Sequence, residues 1–424
     1  MTIHVVQPGE NLEAIAGKYK IPLWLLSKIN GLAANTSLVE GQAILILFPA
    51  LIHTVVPGDT LYNISAQYDL SLRELFRNNP GLITKNYIYP GEPIVIHYES
   101  APSQSIMLSG YAYPFIDISL FLQTLPYVTD FNSFTYEITE EGHLSKLGDD
   151  LLISLSKKLG TRPHMVISNL REPYGFDTNI VRSILGNRQT WTPLIEEILS
   201  VLKTKHYDGV DVDFEYVAQS DRESYPEFMS QLHRRLFNKG YTLTAALAAK
   251  TQDNAQGLLV EGIDYKALGA AADAVLLMTY EWGYAAGEPM AIAPLPKVKE
   301  VLDYAITQIP SEKILLGIPD YGYNWPLSTD KANERPRASS LGNAQAVNLA
   351  RSTGSVIHYD EESQAPWFSY TQNGIMHEVW FEDARSILAK LSLIPQYKLK
   401  GAGYWNLMRP FPQNWPLLNS LYKL

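Results

Sequence analysis

The sequence contains no cysteine, so disulfide bridges and thiolate-ligated zinc are excluded. It has no excess of basic residues: 34 Lys and Arg stand against 44 Asp and Glu, a net charge of −10. That balance argues against nucleic acid and against an anionic membrane surface as partners. No apolar run approaches the roughly 18 residues that a membrane-spanning helix needs. The opening residues, Met1-Thr2-Ile3-His4-Val5-Val6, lack the basic and apolar regions of a secretory signal. Either such a signal has been removed, or the protein reaches its substrate by another route. What is present is a globular composition of 46% hydrophobic and 18% charged residues over 424 positions, enough for two or three domains. The 26 tyrosines and 8 tryptophans suit sugar rings as well as ordinary cores.

The stretch that organises the chain is Tyr207-Asp208-Gly209-Val210-Asp211-Val212-Asp213-Phe214-Glu215-Tyr216. Val210, Val212, Phe214 and Tyr216 alternate with Asp211, Asp213 and Glu215, a period of two that predicts a strand with unlike faces. Neighbouring acids on one face stand roughly 6.5–7 Å apart. Aspartate is disfavoured in strands and like charges repel, so burial and repulsion should raise at least one pKa and keep one carboxyl protonated as a general acid. A solvated surface strand is the first alternative; it fits poorly, because Val201, Leu202 and Tyr207 lead in and no Lys or Arg interleaves the acids. A cation site is the second; the helix-loop-helix Ca²⁺ pattern needs a Gly at its sixth position and a Glu at its twelfth, and neither fits. Asp208 lies three residues before Asp211, off the carboxylate face, and reads as structural.

Asp208-Gly209-x-Asp211-x-Asp213-x-Glu215 resembles the signature of family 18 glycoside hydrolases, the chitinase-like enzymes. The resemblance implies a substrate-assisted retaining mechanism. Glu215 would be the proton donor, Asp213 the group that holds the substrate's acetamido N–H, and Asp211 its support, with Asp208 and Gly209 structural. Leu277-Met278-Thr279-Tyr280-Glu281 resembles the family's sixth-strand Met-x-Tyr-Asp, with Glu281 where Asp is commoner. It implies that Tyr280 contacts the acetamido group and that Met278 and Glu281 lie at the substrate. Gly403-Tyr404-Trp405-Asn406 resembles the eighth-strand end, whose Trp floors the sugar site. Tyr111 and Tyr136 are further cleft candidates. The family's third-strand Ser-x-Gly-Gly is absent; His164-Met165-Val166-Ile167-Ser168-Asn169 stands there, and His164 reads as structural.

The first hundred residues repeat. Ile3 to Leu12 aligns with Ile52 to Leu61, and Ile15, Tyr19 and Asn30 recur as Ile64, Tyr68 and Asn79, an offset of 49; one later insertion pairs Gly41 with Gly91. Pro8-Gly9 and Pro57-Gly58 are turns, Asp59 or Thr60 is a helix N-cap, and Ala43–Ile46 and Pro93–Ile96 close the units as strands. Both units resemble LysM modules, small βααβ domains that bind N-acetylglucosamine-containing glycans. The expected organisation is LysM modules at 1–48 and 50–97, a linker at 98–105 and a catalytic region at 106–424.

In that last region eight apolar runs alternate with amphipathic stretches: Ile106 to Phe115, Phe131 to Ile138, His164 to Ser168, Tyr207 to Tyr216, Tyr241 to Ala249, Ala274 to Tyr280, Ile314 to Ile318 and Gly401 to Leu407. This is the profile of an α/β (β/α)₈ TIM barrel, with catalytic groups at the carboxyl ends of strands. Between the last two runs, at about 323–398, short strands around Gln372-Asn373-Gly374 predict a small α+β insertion.

The combination resembles the spore-cortex-lytic germination enzymes of spore-forming bacteria. It implies an N-acetylglucosaminidase acting on peptidoglycan in the spore coat and cortex region or at the cell wall. Expected partners are N-acetylglucosamine-containing glycans, with no nucleic acid, no membrane, no cofactor and no metal; a monomer is expected. A chitinase and a catalytically silent glycan-binding coat protein are the alternatives.

Overall fold

The computed structural model describes residues 1–100, 102, 104–327 and 337–424. The sequence repeat folds twice into one unit: an opening strand, two helices and a closing strand paired antiparallel to the first. In the first unit these are Thr2–Val5, Leu12–Tyr19, Leu23–Asn30 and Ala43–Ile46. In the second they are Pro49–Thr54, Leu61–Gln67, Leu72–Asn78 and Pro93–Tyr98. The repeated asparagines explain themselves. Asn30 bonds Leu26 O and both backbone groups of Leu45; Asn79 does the same with Leu75 and Val95. Each locks its second helix to its closing strand. Thr60, rather than Asp59, caps the helix, accepting from Asn63 N–H. Asp59 accepts from Val56 N–H and faces His53 at 2.8 Å.

Both units are fastened to the rest of the chain, by different means. Arg73 of the second donates to the carbonyls of Leu125, Pro126, Val128, Leu159 and Gly160, at the starts of the second and third barrel strands. That is the face of the barrel opposite the strand ends where catalytic groups gather. The first unit is held through its own loop. Ser37 O accepts from Arg351, Glu40 O from Ile357 N–H and Gly41 O from Arg385, while Val39 is buried in the insertion's apolar core. Of the expected linker, Ala101 and Ser103 lie outside the described residues; Tyr98 still belongs to the closing strand, and Ser105 pairs with Lys423.

Eight parallel strands close into a barrel: Met107–Ala112, Asp130–Glu137, Arg162–Ser168, Gly209–Asp213, Thr242–Ala248, Ala274–Met278, Ile314–Pro319 and Gly401–Trp405. Each falls on one of the eight apolar runs, and the eighth pairs with the first at Gly401↔Met107. Helices cover the outside, where outward valines such as Val210 and Val212 join the main core. The second strand has a register shift between Ser133 and Tyr136. One extra residue there reverses the facing of everything after it.

After the seventh strand, five antiparallel strands and the helix Asn343–Thr353, counted among the described residues, form the insertion. Its hairpin turns at Asn373 and Gly374, both at positive φ, between Gln372 and Ile375, as an Asn-Gly turn requires. The inserted elements run from Gly322 to Trp380, apart from 328–336, which lie outside the described residues. The expected limit at 398 is too late, because Ala384–Leu391 and Leu393–Tyr397 pack into the barrel's own core. Among the described residues no helix is long and apolar enough to cross a membrane.

Candidate active site

The fourth strand delivers its acids by parity. Val210 and Val212 point out to the helices, so Asp211 and Asp213 point into the barrel, 1% and 4% exposed. Gly209 opens the strand where no side chain fits: a Cβ would lie 2.3 Å from Thr242 Oγ1 and 2.7 Å from its carbonyl. Asp208 stays at the far end, half-exposed and paired with Lys157 at 3.1 Å. His164 is also at that end, buried against Asp130 at 3.4 Å.

The strand ends at Asp213, shorter than the alternation suggested. Glu215 emerges two residues later, and Tyr216 after it takes φ 56°, a left-handed conformation unusual outside glycine. Glu281, three residues past the end of the sixth strand, is left-handed too, at φ 65°. The two turns aim Glu215 and Glu281 into one cavity of about 340 Å³, lined also by Tyr111, Asp213, Met278, Tyr280 and Trp405.

Each carboxyl has its own environment. Asp211 accepts hydrogen bonds from Tyr111 Oη, at 2.9 Å, and from Thr244 Oγ1. Burial pushes its pKa up to about 6 against the pull of those two donors. Among the described residues, Asp213 has one oxygen without a partner. Burial, then the charges of Glu215 and Asp211, raises it well above the usual carboxylate range. Glu215 is pushed up to about 7, by burial first and by the negative Glu281 second. Glu281 itself accepts from Tyr321 Oη and, at 3.0 Å, from Tyr323 Oη. Tyr280 is held in its protonated, donating form by burial and by Asp213 and Glu215. Glu281→Gln is expected to lower the pH at which Glu215 loses its proton, followed by carboxyl ¹³C NMR. An unchanged midpoint would remove Glu281 as a cause.

Trp405 packs edge-on against Phe134, ring centroids 4.7 Å apart, and beside Tyr111 at 5.8 Å. One cleft candidate is not there. Tyr136 is buried outside the barrel wall, its hydroxyl 3.3 Å from that of Tyr207 and its ring near Lys205. The register shift in its strand turned it outward, and Phe134 takes the inward place. Thr244, Asn169, Tyr321 and Tyr323 went unnoticed in the sequence. Parity would have found Thr244, which faces Asp211 across adjacent strands, and Tyr321-x-Tyr323 has a period of two directly after the seventh strand.

The arrangement can hold one carboxyl protonated near neutral pH beside a second, buried one, above an aromatic surface. Residues 178–409 match Glycosyl hydrolases family 18, and 4–46 and 53–97 match the LysM domain. The chain is 35% identical to the Cortical fragment-lytic enzyme of Bacillus subtilis (strain 168), over 100% of its own length and 99% of the relative's. It is 36% identical to the Putative sporulation-specific glycosylase YdhD of the same strain, over 98% of each. The crystal structure of the Bacillus cereus spore cortex-lytic enzyme SleL superposes with a TM-score of 0.83 at 35% identity, covering 100% of this chain and 98% of that one. With the family matched over more than half its length, the chain belongs to family 18 of the glycosyl hydrolases and is a glycosidase with two LysM domains.

Proposed function

We propose that the protein hydrolyses spore-cortex peptidoglycan, cleaving the glycosidic bond that follows N-acetylglucosamine with retention of configuration. The names of its relatives supply the substrate. The observation that carries the chemistry is the pair Asp213 and Glu215 in one cavity, both raised in pKa, with Tyr280 and Trp405 beside them.

In this reading protonated Glu215 gives its proton to the leaving glycosidic oxygen. The carbonyl oxygen of the sugar's own 2-acetamido group attacks the anomeric carbon as that bond breaks, giving an oxazolinium ion. Asp213 accepts the acetamido N–H and balances the positive charge, and Asp211, held by Tyr111 and Thr244, supports Asp213. Tyr280 donates to the acetamido group, and Trp405 lies under the ring. Water, deprotonated by Glu215, then opens the oxazolinium on the face the leaving group left. The donor works only while protonated, so turnover falls as the pH rises through about 7. Digestion of cortex fragments, with the products identified by mass spectrometry, tests the reading: N-acetylglucosamine at the new reducing ends supports it, and muramic acid at those ends contradicts it.

One observation favours a second reading, hydrolysis of chitin. Among the described residues the cavity is lined by Asp213, Glu215 and Glu281 and by no Lys or Arg, which suits sugars without a carboxylate. Parallel digestion of cortex fragments and chitin separates the two.

Tethering falls to the second LysM domain in this proposal. It exposes Tyr62, Tyr87 and Tyr89, at 71%, 72% and 62%. Glu13, Ser37 and Val39 occupy the matching positions of the first domain, whose loop is covered by the insertion. If each ring is worth as much to a sugar as to another aromatic ring, about 0.5–1.5 kcal/mol, two of them account for roughly tenfold in binding. Tyr87→Ala with Tyr89→Ala is expected to weaken retention on insoluble cortex at least tenfold, read by sedimentation, with turnover of soluble oligosaccharide unchanged. Full retention would move the tether elsewhere.

A further inference from the structure

The ladder of the barrel does not hold Glu215. Its strand makes its last pair at Asp213↔Ser168, and Glu215 stands two residues beyond, with a left-handed residue following. Among the described residues, its backbone is held by one side chain. Asn169, directly after the third strand, is fully buried. Its Oδ1 accepts from the Glu215 backbone N–H at 2.9 Å, and its Nδ2 donates to the Glu215 carbonyl at 2.8 Å. The same Nδ2 donates to the Asp177 carbonyl at 3.1 Å, and Asp177 N–H returns a bond to the Asn169 carbonyl at 2.9 Å.

We infer that Asn169 is a positioning residue for the proton donor. Its amide stands in for the missing strand neighbour, giving Glu215 the acceptor and donor that a ladder would have given. Only an amide side chain carries both in this form: aspartate has no donor and an aliphatic residue has neither. Through Asp177 the clamp also ties in the turn formed by Leu170–Arg171 and Gly175–Phe176, whose Phe176 lines the cavity. The donor's backbone and one cleft wall are therefore tied together by a residue that does not line the cavity. The inference rests on the reading of Glu215 as the proton donor.

The test compares Asn169→Ala and Asn169→Ser with the full-length protein on soluble N-acetylglucosamine oligosaccharides, with thermal unfolding of each variant alongside. A donor displaced by about 1 Å costs on the order of 10²-fold in turnover. Expected for Asn169→Ala is a kcat loss of about 10- to 100-fold with KM within about threefold. Ser, which keeps one donor–acceptor group, should recover part of the loss, and the alkaline limb of the pH–rate profile should move from near 7. A folded Ala variant with kcat within twofold of the parent overturns the inference. So does a kcat loss matched by an equal rise in KM, the mark of general loosening. If Ala does not fold, Ser carries the same comparison. A lowered kcat in the Asn169 variants beside near-normal turnover in Glu215→Gln overturns the reading of Glu215 rather than the clamp.

Discussion

Glu215→Gln is expected to lower turnover by about 10²–10⁴-fold, the usual contribution of a positioned proton donor, and to leave oligosaccharide binding intact. Glutamine keeps the shape of the side chain and its place at the end of the Asn169 clamp, so the cavity survives while the transferable proton does not. A substrate with an activated aryloxide leaving group needs no proton on departure and should recover much of the loss. The same variant should be more stable than the parent at pH 8. The folded-state pKa of Glu215 is about 7, above its ordinary 4.5. Between those values the folded protein binds more protons than the unfolded chain, so the parent loses stability as the pH rises through that window. Glutamine has no such titration. The two unfolding midpoints should converge below pH 4.5 and separate above 7. Near-normal turnover on a natural glycan would take the proton-donor role from Glu215.

The second large effect is expected at Asp213. Asp213→Asn should cost about 10²–10³-fold in kcat, the scale of removing one group that stabilises transition-state charge. Unlike Glu215→Gln, it should not be rescued by an activated leaving group, because the step it impairs is the attack of the acetamido oxygen. Asparagine can still meet the acetamido group by hydrogen bonding, but it carries no charge to balance an oxazolinium ion. Asp213 itself is 4% exposed, with one oxygen unpartnered among the described residues and two acids as neighbours, an arrangement costly to keep. Such cost fits a group aimed at something that arrives with the substrate. Rescue of Asp213→Asn by an activated leaving group would assign Asp213 to proton transfer instead.

How much of this was legible in the sequence follows the range of the forces involved. The period of two in Tyr207 to Tyr216 is a local signal, and it put Asp211 and Asp213 on the inner face of a strand. The eight apolar runs are local too, and so is Asn373-Gly374, whose turn needs two left-handed residues. The repeat of Asn30 at Asn79 reports a bond made identically within two small units. Tyr136 failed because parity counting assumes an unbroken register, and one extra residue between Ser133 and Tyr136 reverses it. Asn169 carried no pattern: its meaning lies in the backbone of Glu215, 46 residues away. The different fates of the two LysM loops were equally out of reach, since Ser37 meets Arg351 only when the insertion has folded.

The central claim is that the bound sugar's acetamido group, rather than a second protein carboxylate or a water molecule, attacks the anomeric carbon. Proton NMR of the product anomer in the first moments of cleavage tests it most directly. The β-anomer of a β-linked substrate is expected, with no turnover when the acetamido is replaced by hydroxyl. The α-anomer, or undiminished cleavage of the hydroxyl analogue, would contradict it.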